Sequence, residues 1–150
     1  MESGYKVHEV MNRDVLTLDW EASIVEVAKK MRDKRVGSVV LLKNKNPTQI
    51  ITEQDVARKV VAEGKNPEET KAKDVAGESL VSIEGNRDLH EAMVLMSNED
   101  IKHLPVIDNG KLEGIITAKD IVRMEPHLIE IMSFKSSLSN DELKKLFKKF

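Results

Sequence analysis

The stretch IITEQDVAR at residues 50–58 returns 65 residues later as IITAKDIVR at residues 115–123. When the chain is shifted by 65 positions, residues 7–58 align with residues 72–123 without a gap, and nine aligned positions are identical. Five of the nine identities lie in this one window, where average composition supplies roughly half of one by chance. The sequence therefore predicts a tandem duplication.

The first long helix of each copy has its own start signal. Ser23 with Glu26, and Asp88 with Glu91, have the spacing of a capping box, in which the N-cap side chain and the third helical residue satisfy each other's backbone amides. Apolar residues then recur at helical spacing and make one stripe per helix. The predicted helices cover residues 23–34 and 88–98.

Extended segments surround these helices in the same order in both copies. The apolar runs at residues 36–42 and 104–107 predict strands that are buried on both faces. Shorter strands are predicted at residues 15–18, 50–51, 80–83 and 115–116, with turns at residues 43–48 and 108–111. Each copy therefore has the order helix, strand, helix, strand, strand, helix.

These elements predict an α/β (α+β) fold of two repeats with small three-stranded sheets and flanking helices. The repeats are residues 7–64 and 72–125, and a helical tail follows at residues 126–150. Since so small a sheet cannot bury its apolar face alone, the two copies are expected to pack sheet on sheet. The polar connector EGKNPEET at residues 63–70 contains Gly and Pro, so the boundary between the repeats is predicted there.

Composition excludes several classes of protein. The chain has 150 residues, no cysteine and a formal net charge of −2, which argues against a disulfide framework, a thiolate metal site and a broad attraction to nucleic acid. The longest apolar runs cannot span a bilayer, and residues 1–6 have no apolar leader segment, so a cytoplasmic protein is expected. The four histidines show no i, i+4 metal spacing, and no metal site is predicted.

The shared window has two compatible interpretations. Thr52 with Asp55, and Thr117 with Asp120, have the spacing of a hydroxyl N-cap and a carboxylate at the third helical position, which marks a helix start and nothing more. A helix start also offers free amides and a positive dipole end to a phosphate. The carboxylate could accept hydrogen bonds from ribose hydroxyls. The residues alone leave this choice open.

Two longer segments resemble a known family. Residues 36–64 and 101–120 contain the VGSVV, IITEQDV, HLPVIDNGKLEG and IITAKD runs, which are similar to the two halves of a cystathionine-β-synthase (CBS) domain pair. The likeness covers residues 7–124 and is greatest to stand-alone prokaryotic pairs. It implies a Bateman module, in which two repeats pack with pseudo-two-fold symmetry and bind adenosine ligands in clefts between them.

The resemblance also implies which residues bind. In the family, Thr and Asp of the repeated motif hold ribose and phosphate, and adenine lies against the opposite repeat. One implied site consists of Met11, Asp14, Leu16, Val36, Gly37, Ser38, Thr117, Lys119, Asp120 and Arg123. The mirrored site consists of Thr52, Asp55, Arg58, Ala76, Ser79, Val81, Ile101, Lys102 and His103. Basic groups near the phosphates would be Lys119 and Arg123 in the first site, and His103 and Arg58 in the second.

The first repeat departs from the family pattern at one position. The family glycine before the motif is present as Gly114, but Gln49 stands at the matching place, where it adds bulk and restricts φ. Residues 46–48 (NPT) also replace the usual Gly-containing turn. The Thr117 site is therefore predicted to be the occupied one, and the Thr52 site weaker or empty.

The predicted function is a regulatory sensor, an energy sensor in family terms, that binds AMP, ADP, ATP or an adenosyl compound and alters a partner or its own homodimer. No catalytic residue and no tightly held cofactor are expected. The alternative is an interaction scaffold or nucleic-acid accessory that uses the Lys-rich tail. There, a capping box at residues 139–142 precedes an apolar stripe flanked by lysines at residues 143–150, which is typical of a basic amphipathic helix. Such a helix can bind a membrane surface or an acidic partner, or it can dock on its own domain or across a dimer with its lysines in water, and the second interpretation is favoured.

Overall fold

The computed structural model describes residues 2–124 and residue 141, and the predicted tail helix otherwise lies outside these residues. The chain forms two compact units, which we call unit 1 and unit 2. Unit 2 is Val15–Leu80; unit 1 combines the N-terminal piece that ends at Asp14 with the chain from Val81 onward. Each unit thus contains the strands of one repeat and the short helix with which the other repeat begins.

The connector at residues 63–70 lies inside unit 2, not between the units. Its backbone is tied to the start of the long helix, because the Ile24 amide donates to the Thr70 carbonyl at 3.1 Å and the Val25 amide to the Pro67 carbonyl at 3.2 Å. Composition predicted the boundary at this connector. The compact units divide near Leu80, so they do not coincide with the two repeats, and the repeat boundary at the connector stays a prediction.

Unit 2 is built on a three-stranded sheet. Its elements are β1 (Thr17–Asp19), α2 (Ile24–Lys34), β2 (Ser38–Lys43), β3 (Asn46–Thr52), α3 (Glu53–Val56), a π-helical segment (Ala57–Val61) and α4 (Ala72–Val75). The central strand β2 pairs parallel with β1 and antiparallel with β3. Val39, Val40 and Leu41 of β2 are fully buried, as predicted for a strand covered on both faces.

The hairpin of unit 2 is tighter than predicted. Strand β3 begins at Asn46, and Asn44 and Lys45 alone form the loop with positive φ of 51° and 66°, the conformation of a two-residue type I′ turn. Pro47 therefore lies inside an edge strand next to a register shift, where a missing amide is tolerated. The turn predicted at residues 43–48 was wrong because Asn44 adopts positive φ without a glycine.

Unit 1 has a reduced sheet. Its elements are α1 (Val7–Val10), α5 (Leu89–Asn98), β4 (His103–Asp108), β5 (Lys111–Thr117) and α6 (Ala118–Met124). Within residues 2–14 and 81–124, the sheet of unit 1 is the antiparallel pair β4–β5, and the third strand predicted at residues 80–83 is a single parallel bridge from Ile83 to Val106. The apolar core lies between these elements and includes Leu89, Met93, Met96, Leu104 and Ile116.

The two long helices begin differently. In α2 the predicted capping box is confirmed: the Glu26 amide donates to Ser23 Oγ at 3.2 Å, and the Ser23 amide to Glu26 Oε2 at 2.8 Å. In α5 the buried Asp88 carboxylate accepts from the amides of His90 and Ser3 at 2.8 and 2.9 Å. Glu91 instead pairs with Arg87. The second capping box was wrong because the N-terminal Ser3 takes up the cap side chain.

No helix in the described part of the chain is both long enough and apolar enough to cross a membrane.

Candidate functional site

The repeated Thr-x-x-Asp motif forms a closed capping box in each unit. In unit 2, Asp55 Oδ2 accepts from the Thr52 amide at 2.9 Å, and Thr52 Oγ1 accepts from the Asp55 amide at 3.4 Å. In unit 1, the corresponding bonds between Thr117 and Asp120 are both 3.1 Å. The capping interpretation therefore holds for both motifs. Each motif Thr and Asp is partly exposed, so a ligand could exchange with these bonds.

The two motif carboxylates differ in their counterions. Asp55 Oδ1 lies 3.0 Å from Lys59 Nζ, and the same ammonium donates to the Val75 carbonyl at 3.1 Å. One repeat later, the place of Lys59 is taken by Met124. Asp120 makes no ion pair with any residue that the structure describes. Asp55 must therefore release Lys59 before it can accept from a ligand, whereas no cation among the described residues has to leave Asp120.

The hairpin register brings a neighbouring segment to each motif. Ser38 pairs with Thr52 across β2 and β3, and the Glu53 amide donates to the Gly37 carbonyl at 3.1 Å. In the same way His103 pairs with Thr117, and the Ala118 amide donates to the Lys102 carbonyl at 3.0 Å. Residues 36–38 therefore lie beside Thr52 within unit 2, and residues 101–103 lie beside Thr117 within unit 1.

The resemblance assigned these two segments to the opposite motifs. Its first list combined residues 36–38 with Thr117, and its second combined residues 101–103 with Thr52. Each list is divided between the units, because Leu16 and residues 36–38 belong to unit 2 and Val81 and residues 101–103 to unit 1. Inside its own unit, each segment lies beside the motif of its own repeat, since antiparallel pairing joins strands that are adjacent in sequence.

The remaining candidates are mostly at the surface. Lys119 and Arg123 are exposed on α6, and Arg58 is exposed on the π-helical segment. Asp14 and Ser79 are exposed at the ends of their pieces, and Met11, Leu16 and Val81 are half-buried. Ala76 is buried in the core of unit 2. Exposed cations therefore accompany both motifs.

His103 is not one of these cations. Burial, and to a smaller extent the neighbouring Lys102 charge, lower the pKa of His103 to about 4 against the opposing effect of Asp120. Its Nδ1 atom is buried and has no hydrogen-bond partner among the described residues. The ring is therefore neutral at pH 7. The prediction of a basic group at this position was wrong because sequence spacing does not reveal how deeply a strand residue is buried.

Gly114 is required by close packing. A Cβ atom there would lie 2.6 Å from Met11 Sδ and 2.9 Å from the Asn12 carbonyl oxygen. The approach is held by a backbone bridge in which the amides of Asn12 and Ile115 donate to each other's carbonyls at 2.8 and 2.9 Å. Gly114 is not among the glycines with positive φ. Steric room, not conformational freedom, is what the glycine supplies.

Gln49 occupies the matching position in unit 2 and has its own structural role. Its Nε2 donates to the carbonyls of Lys73 and Gly77 at 3.1 and 3.2 Å, and its Oε1 is buried without a partner among the described residues. Gly77 is the counterpart of Asn12, and Ala76 is the counterpart of Met11. In unit 2, the Gln49 side-chain amide therefore takes the place of the backbone bridge of unit 1, and the small Ala76 takes the place of the large Met11.

Sequence reasoning missed this exchange, although the aligned repeats contain its signal. Met11 with Gly114 pairs a large residue with a small one, and Ala76 with Gln49 reverses the sizes. The bulk of Gln49 is directed at the α4 segment, where it makes hydrogen bonds. Among the described residues, no cluster of three His, Asp or Glu side chains is arranged to hold a metal ion.

Known proteins are similar to this chain over both repeats. A family model described as CBS domain matches residues 7–62 and 72–126. An uncharacterized protein of Methanopyrus kandleri is 41% identical over 139 residues, which are 91% of this chain and 71% of that protein. The CBS domain-containing protein YhcV of Bacillus subtilis is 29% identical and is matched over 77% of this chain and 81% of its own length.

A solved structure has the same fold. The CBS domain protein PAE2072 from Pyrobaculum aerophilum, complexed with AMP, superposes with a TM-score of 0.77 at 26% identity. The match covers 87% of this chain and 99% of that chain. The predicted arrangement of mixed helices and small sheets is thereby confirmed.

Proposed function

The chain belongs to the CBS domain family, and we propose that it is a regulatory module that binds an adenine nucleotide or a related adenosyl compound. The observation that carries this proposal is the doubled Thr-x-x-Asp helix start, each copy partly exposed and accompanied by exposed basic side chains. The AMP complex of the Pyrobaculum aerophilum protein supports it.

The proposed chemistry uses groups that already exchange hydrogen bonds in the capping boxes. The Asp120 carboxylate accepts from ribose hydroxyls, as ionised acceptors form the stronger hydrogen bonds. The Thr117 hydroxyl and the first amides of α6 donate to phosphate oxygens, and the exposed Lys119 and Arg123 neutralise phosphate charge.

We rank the Thr117 site above the Thr52 site, as the sequence predicted, for a different reason. The bulk of Gln49 is directed toward the carbonyls of Lys73 and Gly77. The counterion is what distinguishes the motifs, because Asp55 is paired with Lys59 and Asp120 has Met124 at the equivalent place. A ligand at Asp55 competes with that ion pair.

The regulatory output proposed is a change in self-association or in the binding of another protein. CBS domains are regulatory modules, and the proposed role requires ligand binding without a chemical step. The ligand would be held at partly exposed helix starts, whose capping hydrogen bonds can break and re-form reversibly. The compound that binds with highest affinity among AMP, ADP, ATP and adenosyl compounds would define which metabolic state is sensed.

Isothermal titration calorimetry with these adenosine ligands tests the proposal directly. We expect binding in the micromolar range, and the absence of heat from every ligand at millimolar concentration would refute the function. Asp120→Ala should weaken binding at least tenfold, and Asp55→Ala should weaken it less. Glu99→Ala, an exposed acid of unit 1 outside the motif, is the matched control and should leave affinity unchanged. A larger loss in Asp55→Ala would reverse the ranking.

A further inference from the structure

The short helix α4 lies just before the point where the chain passes from unit 2 to unit 1 at Val81. Its N-terminal end is held by backbone hydrogen bonds. The Ala72 amide donates to the Ala22 carbonyl at 2.8 Å, and the next amide, of Lys73, donates to the Trp20 carbonyl at 3.0 Å. What holds the other end of α4 therefore determines how firmly the chain is fixed where it leaves unit 2.

The C-terminal end of α4 is held by side chains. Gln49 donates to the carbonyls of Lys73 and Gly77, and Lys59 Nζ donates to the Val75 carbonyl at 3.1 Å. Val75 is the last residue of a four-residue helix, where carbonyls have no partner within the helix and a lysine can cap them. Lys59 is thus a C-terminal cap of α4.

The matching helix end in unit 1 has no such cap. There the backbones of Asn12 and Ile115 form a bridge, and the counterpart of Lys59 is Met124. Gly77, the counterpart of Asn12, makes no corresponding bridge to any residue that the structure describes. The end of α4 therefore depends on a charged side chain that an anion can attract, whereas the end of α1 is fixed by backbone.

The same ammonium is bound to the proposed Thr52 nucleotide site. Asp55 Oδ1 lies 3.0 Å from Lys59 Nζ, and Asp55 Oδ2 accepts from the Thr52 amide at 2.9 Å. The Asp55 side chain is 19% exposed and that of Lys59 is 46% exposed. The ammonium can therefore move into solvent while the carboxylate stays in place. A ribose that bonds to Asp55 competes with Lys59 for this carboxylate.

We propose that Lys59 is a latch between the Thr52 site and α4, and that nucleotide binding at Asp55 releases Lys59 from the Val75 carbonyl. An ammonium that has lost its carboxylate is drawn to the phosphate, because it interacts more strongly with an anion than with a neutral carbonyl. Release loosens the segment through which the chain leaves unit 2. The inference rests on the proposed function and names the regulation of its Thr52 site.

Hydrogen exchange of backbone amides, resolved by NMR, tests the latch without a ligand. The Ala76 amide closes α4 and should exchange about fivefold faster in Lys59→Met than in the wild type, the factor that corresponds to one net hydrogen bond. The amide of the fully buried Val40 in β2 should exchange as in the wild type, which shows that the opening is local.

Lys65→Met is the matched control. Lys65 is 45% exposed and pairs with Glu63 at 3.0 Å, so its exposure and its ion pair closely match those of Lys59. The control should leave the exchange of the Ala76 amide unchanged. If this amide exchanges equally in Lys59→Met and in the wild type, Lys59 does not hold α4 and the latch is rejected.

A second arm adds AMP, ADP or ATP at millimolar concentration to the Asp120→Ala variant, in which the Thr117 site is impaired. A shift of the Thr52 amide resonance reports that its site is occupied. The Ala76 amide should then exchange as fast as it does in Lys59→Met. In the double variant with Lys59→Met, the nucleotide should still shift Thr52 and should have no further effect on Ala76.

Failure of the latch and failure of the nucleotide proposal give different results. If a nucleotide shifts Thr52 and exchange at Ala76 does not change, the latch is overturned and the proposed function stands. If no nucleotide shifts Thr52, the latch is overturned as a device operated by ligand. Calorimetry on the wild type then decides separately whether the Thr117 site binds.

Discussion

Unit 1 and unit 2 solve the same packing problem in opposite ways. In unit 1, Met11 lies over Gly114, and the backbones of Asn12 and Ile115 form a bridge. In unit 2, the small Ala76 leaves room for Gln49, whose amide reaches the Gly77 carbonyl in place of that bridge. The two repeats therefore differ in which position of the pair carries the large side chain. The residue at one position can be explained only together with the residue at the other.

Gly114→Gln should have the largest effect, because it places the unit 2 side chain against the unit 1 partner. A Cβ at 2.6 Å from Met11 Sδ forces local rearrangement, and overpacking of this kind costs roughly 1–3 kcal/mol, occasionally more. We expect a loss of about 3 kcal/mol in the free energy of unfolding by urea titration. Adding Met11→Ala should recover at least half of the loss.

The control for this variant is Gly77→Gln, whose new Cβ would have one neighbour within 4 Å among the described residues, the Ser79 carbonyl oxygen at 4.0 Å. It should change stability by less than about 0.5 kcal/mol, as surface substitutions usually do. If Gly114→Gln lowers the free energy of unfolding no more than Gly77→Gln does, the difference in residue size between the two pairs does not contribute to stability.

Acid should destabilise unit 1 through His103, whose counterpart in unit 2 is the non-titrating Ser38. The folded pKa is about 4 against an ordinary 6.5, so the unfolded chain binds more protons across that window and stability falls as pH falls through it. Since each pKa unit corresponds to 1.36 kcal/mol, lowering the pH from 7 to 5 should remove about 2 kcal/mol.

His103→Ser, which transplants the unit 2 residue, separates this effect from the protonation of carboxylates. Backbone hydrogen bonds from Ser3 and His90 outweigh burial and lower the pKa of Asp88, so its own contribution is lost only at lower pH. Urea titrations at pH 7 and pH 5 should show a much smaller difference for His103→Ser than for the wild type. An equal difference in the two proteins would mean that protonation of His103 does not destabilise the folded state.

Gln49→Met should have a moderate effect. It keeps the volume but removes the hydrogen bonds to the carbonyls of Lys73 and Gly77, each of which contributes about 1 kcal/mol net. Removal of the unpaired Oε1 offsets part of this, so we expect a loss of about 1 kcal/mol in thermal or urea unfolding. Gln54→Met, exposed on α3, is the control. A stabilised Gln49→Met would show that the orphan oxygen costs more than the bonds contribute.

Lys59→Met should have the smallest effect on stability, because it removes a partly exposed ion pair of a kind that contributes about 0–1 kcal/mol. Its informative readout is nucleotide affinity in an Asp120→Ala background, where the Thr52 site is isolated. Without the competing Lys59 ammonium, the Thr52 site should bind the nucleotide several-fold more tightly. Weaker binding would instead identify Lys59 as a phosphate ligand and would contradict our reason for ranking the sites.

Much of the fold could be predicted from local signals. The capping boxes of Ser23 and of the two motif threonines, and the buried run of β2, involve residues within a few positions of one another, so their geometry depends little on the rest of the chain. The duplication and the family follow from the same short-range patterns. The α5 cap could not be predicted in this way, because Ser3, 85 residues distant, takes the place of the expected Glu91 partner.

The candidate site shows the same division. By itself the sequence determined the two helix starts, the Thr and Asp of each, and the substitution of Gln49 for glycine, since these are facts of spacing and residue type. Tertiary structure alone decided that residues 36–38 flank Thr52, that His103 is neutral, that Asp55 carries a counterion and that Gln49 binds the α4 segment. The physical reason is that pKa, steric room and counterions depend on which atoms surround a group, and distant parts of the chain supply those atoms.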